Sequence, residues 1–317
     1  MQDLAALPAP DGLASDEYQI FALCYAKNSA RRVPDAFSFT GRDFHDGPMP
    51  IDYFIWIVRN SQRCFLIDLG FSVASAKARG RRLVHDPVTA LRRIGIAPEE
   101  VTDIVISHMH VDHAGNIEQF PSATVHVQDS EVGYVTGRCM HEDALRHPYE
   151  LDDVLNLMRK NWSKQLAFHD GDDALFAGVS LHLVPGHTPG MQATLVTTPR
   201  GKVLLASDGS HYFPNIYNLA PHRITVDQIQ TVASYRRMMK LVSGPEFFIP
   251  GHDPKIRAIY PAIRVGGASR RAACARGNRI GVFPERHQLC RGLPAERGMT
   301  PPALQSCAEL AREMPYS

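Results

Sequence analysis

A mixed α/β fold is predicted for this chain of 317 residues, and three observations predict it. Short runs of branched and aromatic residues recur along the chain, bounded by Gly, Pro or Asp, as strands are. Segments with the spacing of amphipathic helices lie between them. Several of the apolar runs also stop at loops that carry His or Asp, so ligand-type side chains collect along one edge of a sheet.

Residues 1–17, rich in Ala, Pro and Asp, read as a loose lead-in. Tyr18–Tyr25 reads as the first strand. Residues 31–50 read as a loop, in which Phe37, Phe39 and Phe44 either line a pocket or plug a core edge. Asp52–Val58 and Cys64–Asp68 flank a short polar link and read as a hairpin. Asp86–Gly95 has a capped start with Pro87 in its first turn and a glycine stop, the signature of a helix. Pro98–Glu100 reads as a turn before the run Ile104–Ile106, and Thr124–Val127 as another strand. Residues 138–168 form a helical insertion whose stripe Leu151, Val154, Leu155 and Met158 is expected to face inward, with Met158 and Trp162 in packing roles. Val179–Val184, Val203–Ala206 and Phe247–Ile249 read as strands, and residues 225–243 as the last amphipathic helix. From Arg264 onward the character changes: nine arginines, no lysine and three cysteines. A poorly ordered Arg-rich extension, 264–317, is expected.

A hydrophobic content of 44% with 21% charged residues is that of an ordinary soluble globular protein. The formal charge of +1 offers no global attraction for nucleic acid or anionic membrane, and neither is expected as a partner. The N-terminus has neither a basic start nor a sustained apolar segment, so a cytoplasmic location is expected. Cys24, Cys64, Cys139, Cys274, Cys290 and Cys307 form no Cys-x-x-Cys pair, which argues against a zinc knuckle or a disulfide framework.

The chemistry concentrates in Ser107-His108-Met109-His110-Val111-Asp112-His113-Ala114-Gly115. Neutral imidazole and carboxylate are the ligands that zinc and similar borderline metals take. Three further ligand types follow apolar runs downstream: His187 in Pro185-Gly186-His187-Thr188-Pro189-Gly190, Asp208 in Ser207-Asp208-Gly209, and His252 in Gly251-His252-Asp253. Four separate strand ends bearing such residues point to one shared metal site.

Through these motifs the chain resembles the metallo-β-lactamase-fold hydrolases over roughly residues 18–263, and within them the N-acyl-homoserine lactonases. The resemblance implies a four-layer αββα sandwich. It also implies two divalent metal ions, zinc first and manganese, iron or cobalt as alternatives. His108, His110 and His187 would hold one, Asp112, His113 and His252 the other, and Asp208 would bridge them. Asp68 would orient nearby groups. Paired metals can hold a hydroxide between them. Its attack on a lactone carbonyl, with Asp112 as proton shuttle to the leaving alkoxide, would yield a hydroxy acid. The known lactonases place a tyrosine three residues after the bridging aspartate. This chain has His211 at that offset and Tyr212 next, two candidate donors to the carbonyl. Met191 also stands where a second histidine often follows the Gly-His-Thr-Pro-Gly loop. The stretch His211–Tyr217 suits a flat or apolar substrate, so aromatic lactones join acyl-homoserine lactones as the expected class. A homodimer is a family expectation.

Two alternatives use the same motif. A thioester hydrolase of the glyoxalase II kind usually carries Gly-Asp-Thr-Leu-Phe at the bridging aspartate, where this chain has Ser207-Asp208-Gly209-Ser210. A persulfide dioxygenase binds one iron through the equivalents of His108, His187 and Asp208 alone.

Overall fold

The segment Ile51–Arg59 shows how the sheets are covered. Tyr53, Ile55 and Ile57 belong to one buried cluster, while Phe54, Trp56 and Val58 belong to another. Successive side chains of a strand point to opposite faces. This strand is therefore buried on both sides, which is why its sequence is an unbroken apolar run and not an alternation.

The computed structural model describes residues 7, 10–38, 46–263 and 280–282. Strands β1 (Gln19–Asn28), β2 (Ile51–Arg59), β3 (Cys64–Ile67), β4 (Asp103–Val105), β5 (Thr124–Gln128) and β6 (Leu166–His169) come first. Then follow β7 (Asp173–Phe176), β8 (Val179–Leu183), β9 (Gln192–Thr198), β10 (Gly201–Leu205) and β11 (Phe248–Ile249), with β12 (Ala262–Ile263) and β13 (Ile280–Val282) last. The first sheet has the order β12-β13-β1-β2-β3-β4-β5-β6 and the second the order β11-β10-β9-β8-β7. The expected hairpin is present as the antiparallel pair β2 and β3, and β3 to β6 then run parallel.

Three apolar clusters define four layers. Between the sheets lie Ile20, Phe54, Trp56, Phe65 and Val105 from one side, and Leu181, Val196, Val203, Leu205 and Ile249 from the other. The outer face of the first sheet, with Phe21, Leu23, Ile55, Leu66 and Ile104, packs against Ala76, Leu91, Val135 and Leu157 of its covering helices. The outer face of the second, with Leu195, Leu204 and Phe248, packs against Tyr235 and Met238 of the helix Gln228–Leu241. Each large side chain so buried contributes about 1.5–3 kcal/mol. The result is the αββα sandwich.

Pro87–Arg93 is helical, with Asp86 accepting from the Thr89 N–H at its start and Gly95 in the left-handed region at φ 85° beyond its end. Part of the lead-in is anchored, since Leu7 is buried and the Ser15 carbonyl accepts from Asn60 Nδ2. Phe37 plugs the core; Phe39 and Phe44 lie outside the described residues. The first sheet also continues beyond 263, because Ile280–Val282 pairs with β1 and β12. The remainder of the expected Arg-rich extension, with Cys274, Cys290 and Cys307, lies outside the described residues.

The helix Leu151–Trp162 corrects one expectation. Leu151 and Trp162 are 72% and 93% exposed, so neither packs. The buried residues are instead Asp153, Leu157 and Lys160, with Val154 and Met158 beside them. The Lys160 ammonium donates to the carbonyls of Phe120 and Ala123 at 2.7 and 3.0 Å, which ties that face to the body. Apolar spacing cannot reveal a buried face that includes a lysine and an aspartate.

Asp153 carries a cost. Burial first, then Glu150 and Glu118, pushes its carboxyl up to about 7, and its Oδ2 has no hydrogen-bond partner among the described residues. A folded-state value above the unfolded one favours folding when the group is protonated, and that contribution is lost as pH rises through 7. By linkage the loss reaches up to about 4 kcal/mol above that pH. Asp153→Asn is therefore expected to raise the melting temperature at pH 8 and to leave it nearly unchanged near pH 4. Equal shifts at both pH values would contradict the titration.

Candidate metal centre

Four strand ends deliver the cluster. Beyond β4, the Ile106 N–H still donates to the His126 carbonyl, and the chain then turns into the short helix Val111–Ala114. His108 and His110 precede that helix, and Asp112 and His113 sit in it. His187 lies between β8 and β9, where Gly186 adopts φ 133° against the Thr231 backbone, a place no side chain can occupy. Asp208 follows β10 in the turn Ser207–Gly209. His252 follows β11, and a Cβ at the preceding Gly251 would meet the Ser207 carbonyl oxygen at 2.7 Å and Asp208 Oδ1 at 2.9 Å. Glycine there lets the two loops touch.

The structure brings His108, His110, His187 and Asp208 into one group, and Asp112, His113, Asp208 and His252 into a second. The two carboxylate oxygens of Asp208 face different groups. Oδ2 lies 3.3 Å from His187 Nε2 and 3.8 Å from His108 Nε2. Oδ1 lies 3.3 Å from His113 Nε2 and 2.8 Å from His252 Nε2. His187 Nε2 approaches His110 Nδ1 to 3.0 Å. Asp112 Oδ2 lies 3.5 and 3.6 Å from His113 and His252.

Such spacings suit cations. Donors held at about 2.0–2.1 Å around a tetrahedral ion are separated by roughly 3.3 Å. The inward nitrogens of His108, His113 and His252 and Asp208 Oδ1 are buried with no hydrogen-bond partner among the described residues. Unpaired buried polar atoms are costly, and a metal ion is the group that would satisfy this set together.

Three of the outward nitrogens are engaged. His113 Nδ1 donates to Asp68 Oδ2 at 2.7 Å, and His252 Nδ1 donates to the Asp52 carbonyl at 2.8 Å. His108 Nδ1 lies 3.0 Å from Ser107 Oγ, whose hydroxyl donates to Asp68. Each contact leaves the Nε2 lone pair facing inward, as a metal ligand requires. Burial holds His108 and His187 well below the usual imidazole value and pushes His110 down to about 3. For Asp208 burial acts upward, but His211, His252 and His113 outweigh it and keep the carboxylate ionised. Asp112 is likewise depressed, with burial outweighed by His113 and His252.

Glu131 joins the two ligand loops and carries no sequence signal. Its Oε1 accepts from the Met109 N–H, and its Oε2 from the Thr188 hydroxyl and the Gly190 N–H. Burial raises its pKa, and those three donors oppose the rise. His222 was also invisible in the sequence. Its ring stacks on His211 at 3.5 Å and 10°.

The two candidate carbonyl donors separate clearly. His211 Nε2 lies 3.0 Å from Asp208 Oδ2. The Tyr212 hydroxyl instead donates to the Met49 carbonyl, and its ring is in the core. Of the aromatic stretch His211–Tyr217, His211 borders the cluster, and the residues beyond Tyr212 turn away from it. Phe213–Tyr217 is a short helix with Pro214 in its first turn, and Phe213 and Tyr217 stack on each other, one helical turn apart, beside Phe248 and Ile259. A different cavity of about 840 Å³ reaches His110 and His187, and its apolar wall includes Leu145, Tyr149, Ile224 and Val226.

A model of the metallo-beta-lactamase superfamily matches residues 50–252, which contain every ligand of both groups. The chain belongs to the metallo-β-lactamase superfamily. Within that superfamily it is similar to an N-acyl homoserine lactonase of Bacillus sp, 32% identical over 169 residues, and to one of Bacillus cereus, 33% identical over 171. Each match covers 52% of this chain and 61% of the relative, so the chain spans about three-fifths of the length of these curated relatives. Among solved structures, a quorum-quenching N-acyl homoserine lactone lactonase superposes with a TM-score of 0.62 at 21% identity, over 77% of this chain and 95% of that one. AidC, a dizinc quorum-quenching lactonase, gives 0.61 at 18% identity, over 89% and 97%. At such identities these two superpositions establish the metallo-β-lactamase fold.

Proposed function

We propose that the chain is a metal-dependent hydrolase that opens lactone rings to hydroxy acids. One observation carries this reading: a single carboxylate, Asp208, faces two groups of ligand-type side chains, and the rings of His108, His113 and His252 are oriented by hydrogen-bond contacts at their outward nitrogens. The named activity of its relatives supports the lactone as the ester concerned. His108, His110, His187 and Asp208 would hold one divalent ion, and Asp112, His113, His252 and Asp208 a second, with zinc the expected metal. When bound, such a pair polarises an ester carbonyl and lowers the pKa of water to about 7.

The protein's own groups supply the rest. Asp112 keeps 17% of its side chain exposed, whereas His113, His252 and Asp208 keep 2–3%. It is therefore the ligand placed to pass a proton between the centre and solvent. His211 carries the candidate N–H for the carbonyl oxygen, since its Nε2 already reaches an oxygen of Asp208. Burial lowers its imidazole pKa, and the Asp208 carboxylate opposes that fall. The apolar positions Leu145, Ile224 and Val226 would hold the carbon skeleton away from water.

Acid release by the zinc-loaded protein is measured against acyl-homoserine lactones, simple γ- and δ-lactones, aromatic lactones and a thioester. Chelator-sensitive opening of a lactone is the expected result; cleavage of the thioester alone would refute the reading. His211→Ala is expected to lower kcat by about 10²-fold with metal content retained. Loss of metal in place of kcat would make His211 a holder of Asp208.

A further inference from the structure

The cavity that reaches His110 and His187 is also lined by Arg31, Arg81 and Arg223, against one carboxylate, Asp35. Asp35 forms no ion pair with any of the three among the described residues, and its Oδ2 accepts from the Arg32 N–H. Arg31 Nη2 donates to the Asp35 main-chain carbonyl at 2.6 Å, and Arg31 Nε is buried with no acceptor among the described residues. Neither Arg81 nor Arg223 has an ion-pair partner among the described residues. Arg31 also sits close to the centre. Its Nη2 lies 3.0 Å from His222 Nε2, His222 stacks on His211, and His211 reaches Asp208.

Guanidinium groups stay charged at any physiological pH and match carboxylates with a planar fork of donors. Converging on one concave wall, they focus a positive potential into the cavity. A neutral acyl chain entering there would desolvate the guanidinium groups without giving them acceptors, which disfavours it. We propose that Arg31, Arg81 and Arg223 select lactones bearing a carboxylate remote from the scissile carbonyl. The inference rests on the lactonase reading and names its substrate class. Ring opening itself creates a carboxylate at the metal centre, so the group meant here is a second anion, present before hydrolysis.

The test uses homoserine lactones in pairs of equal acyl length, from succinyl against butyryl to suberoyl against octanoyl. Ring and amide are identical within a pair, and only the chain end changes from methyl to carboxylate. For at least one pair, kcat/KM for the carboxylate member is expected to be higher by about tenfold or more. Arg81→Gln and Arg223→Gln should each reduce that ratio, mainly through KM, and raised salt should reduce it too. Equal or lower kcat/KM for the carboxylate member in every pair overturns the proposal. If no lactone opens, the matching γ-lactams are titrated calorimetrically. Tighter binding of the carboxylate lactam, lost in the arginine variants, would retain the anion pocket and refute the lactonase reading. No difference between the lactams would overturn the pocket as well.

Discussion

Asp208→Ala is expected to abolish hydrolysis, lowering kcat/KM by on the order of 10³-fold or more, and to reduce bound metal from two equivalents to one or fewer. The expectation follows from the two-sided geometry, in which Oδ2 lies toward His187 and Oδ1 toward His252 and His113. No other side chain belongs to both groups among the described residues. Removing it takes a ligand from each metal and the one anion between them, while His108, His113 and His252 keep nitrogens with no partner. Asp208→Asn tests the same point more gently, because the amide keeps one oxygen and the side-chain volume. It should retain a single metal. Elemental analysis with the acid-release assay checks both variants, and full activity with two metals in Asp208→Ala would refute the dinuclear proposal.

The ligands were legible because each belongs to a short motif read within a few residues of a strand end. His108 to His113 span one turn, and the local chain alone shows that they are neighbours. The long strands were legible for the same reason: β1 and β2 are buried on both faces and so are apolar at nearly every position. What stayed hidden depends on distant partners or on rotation. β7 is half-exposed with no period-2 pattern, and β9 includes Gln192, Thr194, Thr197 and Thr198, so neither reads as an apolar run. Glu131 reaches partners 22, 57 and 59 residues away, and nothing beside it in sequence hints at them. Tyr212 shows the limit of counting offsets. It follows His211 directly, yet the start of the helix Phe213–Tyr217 turns its hydroxyl to Met49. The aromatic-lactone expectation rested on that same stretch, and the residues lining the large cavity come from elsewhere in the chain.

A pair of substitutions at Asp68 should separate folding from metal binding. Asp68 is buried and accepts from the Ser107 N–H, the Ser107 and Ser207 hydroxyls, and His113 Nδ1, at 2.7–3.1 Å. Asp68→Ala leaves these donors without an acceptor and puts alanine at φ 62°, a region L-residues other than Asn, Asp and Gly avoid. A loss of about 3–5 kcal/mol in folding stability is expected, together with loss of metal. Asp68→Asn keeps the volume and tolerates the backbone. Its Oδ1 still accepts from Ser107, but its amide NH₂ takes the place of Oδ2 and faces His113 Nδ1. The imidazole must then accept at Nδ1, which moves its proton to Nε2, the atom 3.3 Å from Asp208 Oδ1. A protonated Nε2 cannot ligate. Asp68→Asn should therefore melt close to the parent protein while its metal affinity falls about 10–100-fold. Metal affinity at the parent level in Asp68→Asn, measured by competition with a chelator, would show that the His113 tautomer is set by something other than Asp68.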